Sequence, residues 1–254
     1  MDPFEIAQAS AEQSETLRSS PSESSSKAAA RIPDAGTLEA AKWLGLVSMT
    51  IDHINTYLLA GAHPWMYHVG RLAMPLFGMV LAAHLARPEA LEGGLALRMG
   101  RRLAIAGTLA QVPYTWLRGG PWPPTLLNVL FLLLLVVGFV HLRRSSSRAC
   151  RVAAWCLLLI GGALVEFWWI GAVVILAFYT RFASGSAHRT LSVLGALTLL
   201  ALILKSPVPL LAAAFPLIAE RVRLPLERRR FAFYLYYPAH LAILAIARDV
   251  FAGP

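Results

Sequence analysis

The sequence predicts an all-α fold, a polytopic integral membrane helical bundle of about nine transmembrane helices with its N-terminus inside. Three observations carry that expectation. Of 254 residues, 57% are hydrophobic and 15% charged, against ~45–50% and ~25% in a soluble domain. Apolar runs follow one another from Leu38 to the end of the chain with few gaps. The bases between these runs fall in alternate loops, the pattern that sets membrane orientation. The same composition excludes a disordered chain, and the two cysteines, Cys150 and Cys156, exclude a disulfide scaffold.

Residues 1–38 are polar, with a low-complexity serine stretch from Ser19 to Ser26. They read as a disordered cytosolic tail, lacking the basic start and apolar run of a signal peptide. Residues 39–254 read as a single transmembrane helical domain, with spans expected near 41–60, 69–86, 102–117, 124–142, 152–165, 168–182, 190–204, 207–219 and 231–248. Backbone at membrane depth is helical or part of a closed barrel, and leucine-rich runs such as Leu130 to Val140 fit helices. The loops 87–101, 143–151, 181–189 and 220–230 hold 14 bases, and the alternate loops 61–68, 118–123, 166–167 and 205–206 hold two. That bias puts the N-terminus inside and, with nine spans, the C-terminus outside. It also favours a hairpin at Glu166-Phe167-Trp168-Trp169 over one helix across 152–182, which would carry the next arginines to the wrong face. The isoelectric point near 10.1 therefore reads as topology, and nucleic acid is not an expected partner; membrane lipid is.

Charged groups at the bilayer centre cost at least ~2.5–3.5 kcal/mol, so they face a partner or a cavity. Asp52 and His53 lie about 16–18 Å into the first expected span, and His240 about 14 Å into the last, at 1.5 Å per residue. Two imidazoles and a carboxylate at one depth, from opposite ends of the chain, point to a buried polar centre. Asp52 shares a helix face with Ser48, Asn55 and Thr56, and His53 with Met49, Thr50 and Tyr57, so each needs a partner on another helix. Arg71 is the expected counter-ion of Asp52. Gln111, Tyr114, Asn128 and Glu166 fall in the outer halves or at the outer rim of their spans. The plain alternative is a structural Asp52–Arg71 ion pair with hydrogen-bonded histidines, and helix–helix hydrogen bonds for Gln111, Tyr114 and Asn128. His63, His68, His84, His141 and His188 lie in loops or at span ends and receive no role. No histidine or cysteine spacing matches a metal site. Topology accounts for the inner arginines, but Arg98, Arg101 and Arg102 open a span on the cytosolic face, where a phosphorylated cofactor can dock.

Several short stretches carry a family resemblance. Lys42-Trp43-Leu44, Asp52-His53-Ile54-Asn55 and Gly70-Arg71-Leu72-Ala73-Met74-Pro75-Leu76-Phe77 resemble the TraX family. So do Pro113-Tyr114, Leu127-Asn128-Val129-Leu130-Phe131, Val165-Glu166-Phe167-Trp168-Trp169 and the run from Phe233 to Leu241. These pieces stand in order over nearly all the hydrophobic chain; Leu132, where a threonine is expected, departs from the pattern. The resemblance implies a multi-pass protein of the bacterial inner (cytoplasmic) membrane, belonging to conjugation systems. It implies N-acetylation of the conjugative pilin, with acetyl-CoA as co-substrate and the pilin subunit as acceptor. It extends to integral-membrane acyltransferases that use a buried histidine.

Acetylating an amine requires a neutral nucleophile, a base for its proton and donors for the thioester oxygen. On these positions His53 is the expected base, with His240 second to it or its partner, and Asp52 orients a neighbouring group. Arg71, Tyr114, Asn128, Glu166 and Tyr237 are the candidates for substrate or oxyanion contacts, and Arg98, Arg101 and Arg102 for the cofactor's phosphates. Two readings of other classes stay open: a solute or proton-coupled transporter, and a pilin-binding membrane component without chemistry.

Overall fold

The computed structural model describes residues 32–87, 94–120, 126–184, 186, 188–219 and 232–252. Most of the expected tail and the five arginines expected in the 220–230 loop lie outside them. Among the described residues the chain is helical, with one isolated parallel bridge between Leu127 and Val165.

The first helix, α1 (Ala35–Tyr57), begins earlier than the expected residue 41, because Asp34 caps it: its carboxylate accepts from the Thr37 N–H at 2.9 Å and the Thr37 hydroxyl at 2.9 Å. The expected second span is two helices, α2 (Pro64–Gly70) and α3 (Ala73–Leu85). Pro75 has no N–H for the Arg71 carbonyl, and the chain tightens there into i→i−3 bonds, Arg71 to His68 at 3.1 Å and Leu72 to Val69 at 3.2 Å. A break at Arg71 is thus written in the sequence four residues ahead of it. Apart from His84, every side chain of α3 is buried, and this helix packs on α1 and on three later helices.

Helix α4 (Leu95–Arg118) ends at Gly119, whose φ of 61° supplies the left-handed cap. Helix α5 (Val129–Arg143) starts five residues later than the expected 124 because Asn128 caps it. Asn128 is fully buried. Its Oδ1 accepts from the Leu130 N–H at 3.0 Å, and its Nδ2 donates to the Gly107 carbonyl at 2.8 Å and Gln111 Oε1 at 2.9 Å. Gln111 returns a bond to the Leu126 carbonyl at 3.0 Å, so one amide pair ties α4 to the start of α5. Asn128→Ala removes a cap and strands buried groups on both helices. We expect a loss of about 2–4 kcal/mol, read as a lowered thermal unfolding midpoint of the purified protein.

Helices α6 (Arg148–Leu164) and α7 (Trp168–Ser184) form the expected hairpin, turning through Phe167 and Trp168 at φ 63° and 46°. Left-handed backbone at two aromatic residues is costly, and the turn is held by Leu127 N–H to the Leu164 carbonyl and Glu166 N–H to the Leu127 carbonyl, each 2.8 Å. Helix α8 (His188–Ile203), a 3₁₀ turn (Val208–Leu210) and α9 (Leu211–Ala219) follow, and α10 (Ala232–Ala252) packs on α4 and α1. The tight turn reflects Pro207 and Pro209, which cannot continue an α-helical ladder.

The stretch Pro64–Leu85, 22 residues at mean hydropathy 1.2, is long and apolar enough to cross a membrane; the helices Val129–Arg143, Trp168–Ser184 and His188–Ile203 are apolar but shorter. Large apolar side chains also face outward in helical stripes. Ile105, Leu109, Val112 and Trp116 on α4 and Leu235, Ile243, Ile246 and Val250 on α10 are each at least half exposed.

Candidate functional site

Helix α1 presents two polar stripes. Ser48, Asp52 and Asn55, at helical spacing, are buried toward the core, while the Thr56 expected beside them is exposed. Thr50 and His53 face α10. There the Thr50 hydroxyl meets the Tyr236 hydroxyl at 2.7 Å, and His53 Nδ1 meets His240 Nε2 at 2.9 Å, with the two imidazole planes 3° apart. Three residues on α1 match four on α10 in the same direction, so the two helices run parallel. Arg248 near the end of α10 likewise reaches the Trp116 and Leu117 carbonyls at the end of α4. Helices α1, α4 and α10 therefore run in the same direction.

The hydrogen bonds orient the imidazoles. His240 Nδ1 lies 3.0 Å from the Tyr236 carbonyl oxygen, which only accepts, so Nδ1 carries the proton. His240 Nε2 then offers its lone pair, and His53 Nδ1 donates to it. In the neutral ring this leaves His53 Nε2 as the unprotonated nitrogen. The relay runs in one direction, from the Tyr236 carbonyl through His240 to His53.

Beside it, Arg71 forms an ion pair with Asp52. The arginine Nε donates to the Tyr67 carbonyl at 3.2 Å, and its guanidinium lies 4.2 Å from the centre of the Tyr67 ring. This geometry depends on Gly70, where a Cβ would collide with the Asp52 side chain. The glycine and the break after it bring α2 onto α1 closely enough for the pair to form. We expect Gly70→Ala to displace Asp52, costing about 1–3 kcal/mol of stability by overpacking and lowering any activity that needs the pair; unfolding and turnover of the variant measure both.

Asp52, His53, Arg71, Glu166 and Tyr237 border a chamber of about 50 Å³, closed on one side by the ring of Phe77. Asp52 Oδ1 is buried without a hydrogen-bond partner among the described residues. Glu166 arrives from the α6–α7 turn and, with the Tyr237 hydroxyl, reaches the Val129 backbone N–H at the start of α5, where the helix dipole favours negative charge. Burial pushes the Glu166 carboxyl up to about 7, against the pull of the Arg118 and Arg71 guanidinium groups.

The sequence-selected residues thus divide. Asp52, His53, Arg71, Glu166 and Tyr237 line one chamber, with His240 directly behind His53. Tyr114 is buried beside Glu166 and Tyr237 without lining the chamber, with Arg118 over its ring at 5.4 Å. Asn128 is corrected as an oxyanion donor, because both of its N–H groups are spent on Gly107 and Gln111. Arg102 lines a different cavity, whereas the Arg98 and Arg101 side chains are exposed and line neither. Thr50, Gly70 and Tyr236 belong to the site and received no role from the sequence. For Tyr236 a signal existed, four residues before His240 on one helix face.

The family model described as TraX protein matches residues 37–248. Protein TraX of Escherichia coli is 31% identical over 121 residues, which are 48% of this chain and 40% of that protein. The matched stretch thus covers less than half of that relative's length. No solved structure matches. With the family model matching from the start of α1 to near the end of α10, the chain belongs to the TraX family.

Proposed function

We propose that this protein is a multi-pass acetyltransferase of the bacterial inner membrane, moving the acetyl group of acetyl-CoA onto the N-terminal amine of a conjugative pilin. The observation that carries the reading is the directed His240–His53 relay ending on an unprotonated nitrogen in a chamber with a carboxylate, a guanidinium and a phenol. In the transfer, the neutral amine nitrogen bonds to the acetyl carbonyl carbon while the carbon–sulfur bond breaks. The amine proton passes to His53 Nε2 and from there to the departing thiolate. Asp52 Oδ1 accepts from the second amine N–H, and Arg71 and the Tyr237 hydroxyl face the charge that builds on the carbonyl oxygen. The Glu166 carboxylate takes the extra proton of the arriving ammonium, leaving the amine neutral for attack, and gives that proton up to water after the product leaves.

Insertion in a bilayer is supported by the outward apolar stripes on α4 and α10, which exceed what a water-soluble monomer presents, and by the alternation of bases between loops. The chamber lies toward the end of α1, beside the α6–α7 turn and the start of α5, where an acceptor amine arriving from the outer face meets a donor brought from the cytosol.

The test is transfer of radiolabelled acetyl from acetyl-CoA to a synthetic pilin N-terminal peptide by the protein in nanodiscs. Label in the free peptide, and none in one whose amine is blocked, is the expected result. Solute-dependent proton flux without any labelled peptide would replace this reading with the transporter.

A further inference from the structure

A second cavity, of about 100 Å³, opens at the end of the bundle where α1, α4 and α10 begin and α3 ends. Its rim is polar and basic: Lys42 from α1, His84 from α3 and Arg102 from α4 border it, with Tyr234 from α10. A small recess beside it shares Lys42 and His84 and adds Arg87 and Glu39, the latter paired with Lys42. Among the described lining residues, three permanent cations thus stand with one carboxylate. The rest of the lining is apolar and includes Phe77. Phe77 borders the histidine chamber as well. Its ring sits 4.7 Å from that of Phe233 and so close to Gly45 that a Cβ there would lie 3.0 Å away.

The two spaces are therefore neighbours divided by one aromatic ring. Along α1, Lys42 and His53 are eleven residues apart, about 16 Å at 1.5 Å per residue. A ligand matching this shape carries phosphate at one end and its reacting group at the far end of a slender, largely uncharged arm. A phosphopantetheine thioester has that form. We propose that this cavity is the acyl-donor site, with Lys42, His84 and Arg102 holding the phosphates and Phe77 forming the partition past which the thioester enters the histidine chamber. The assignment rests on the acetyl-transfer reading and replaces Arg98 and Arg101 with Lys42 and His84 as the donor's anion contacts.

Binding of CoA and of phosphate-free pantetheine to the protein in nanodiscs tests it, without and with phosphatidylglycerol. CoA is expected to bind at least about tenfold more tightly than pantetheine, and Lys42→Gln/Arg102→Gln to lose about tenfold or more of the CoA affinity, from lost charge-assisted bonds. Phe77→Trp should reduce transfer at least about tenfold, and unchanged transfer would overturn the partition. Equal affinity for CoA and pantetheine in the wild type, or unchanged CoA affinity in the double variant, overturns the assignment even where acetyl transfer is observed. Phosphatidylglycerol that displaces CoA only when Lys42 and Arg102 are present would make the cavity a lipid-headgroup site and likewise overturn it. CoA bound through Lys42 and Arg102 with no acceptor ever acetylated would support the cavity's ligand and defeat the transfer reading instead.

Discussion

Replacing His53 with alanine is expected to lower acetyl transfer by about 10²–10⁴-fold, the usual contribution of a positioned general base, with CoA affinity unchanged. His53 is the imidazole that borders the chamber, and its Nε2 is the one unprotonated nitrogen of the relay that is not already accepting a hydrogen bond within it. His240 acts through it. His240→Ala removes the acceptor for His53 Nδ1 and lets the ring change tautomer, so a smaller drop in turnover is expected, with a shifted pH profile. Labelled acetyl in the acceptor peptide, counted across a pH series for both variants, checks the order. Equal losses in the two, with matching profiles, would place both histidines in the same role and remove the directed relay from the mechanism.

Breaking the Asp52–Arg71 pair from one side is expected to cost more stability than removing it entirely. The two side chains are 11% and 15% exposed, and a single Asp52→Leu or Arg71→Met leaves its partner's charge uncompensated, at about 3–5 kcal/mol. The double variant exchanges two charges for two apolar side chains of similar size and should recover much of that loss. Unfolding midpoints of the four proteins complete the cycle. The double variant is expected to fold and to remain inactive, because the chamber then lacks both the carboxylate oxygen and the guanidinium. A double variant less stable than either single one would mean that the pair organises more of α2 than the Gly70 contact indicates.

Much of this was legible before any coordinates. The hairpin at Glu166 to Trp169 followed from loop arginines. The pairing of Asp52 with Arg71 followed from the cost of leaving either alone in apolar surroundings. The break at Arg71 went unread in an expected single span over 69–86, although Pro75 carried its signal. Other features had no local signal. Gly70 reads as a small residue in an apolar run, and its importance arises only because Asp52 occupies the space its missing Cβ leaves. Asn128 reads as a polar residue at a useful depth until its donors are seen spent on Gly107 and Gln111. His84 reads as a helix-end histidine until α1 and α4 bring Lys42 and Arg102 beside it.

Apolar composition, helical runs and the need of Asp52, His53 and His240 for polar partners were determined by the sequence alone, since each is a property of neighbours within a few residues or of a residue's own solvation. Which of those groups touch was decided by the tertiary structure. The imidazoles that meet at 2.9 Å are 187 positions apart, and spacing along a helix specifies height but not which neighbouring helix a face will meet. The rotation of α10 against α1, set by packing over both helices, selects the His53–His240 contact, and the Tyr236 carbonyl then leaves the lone pair on the imidazole that borders the chamber.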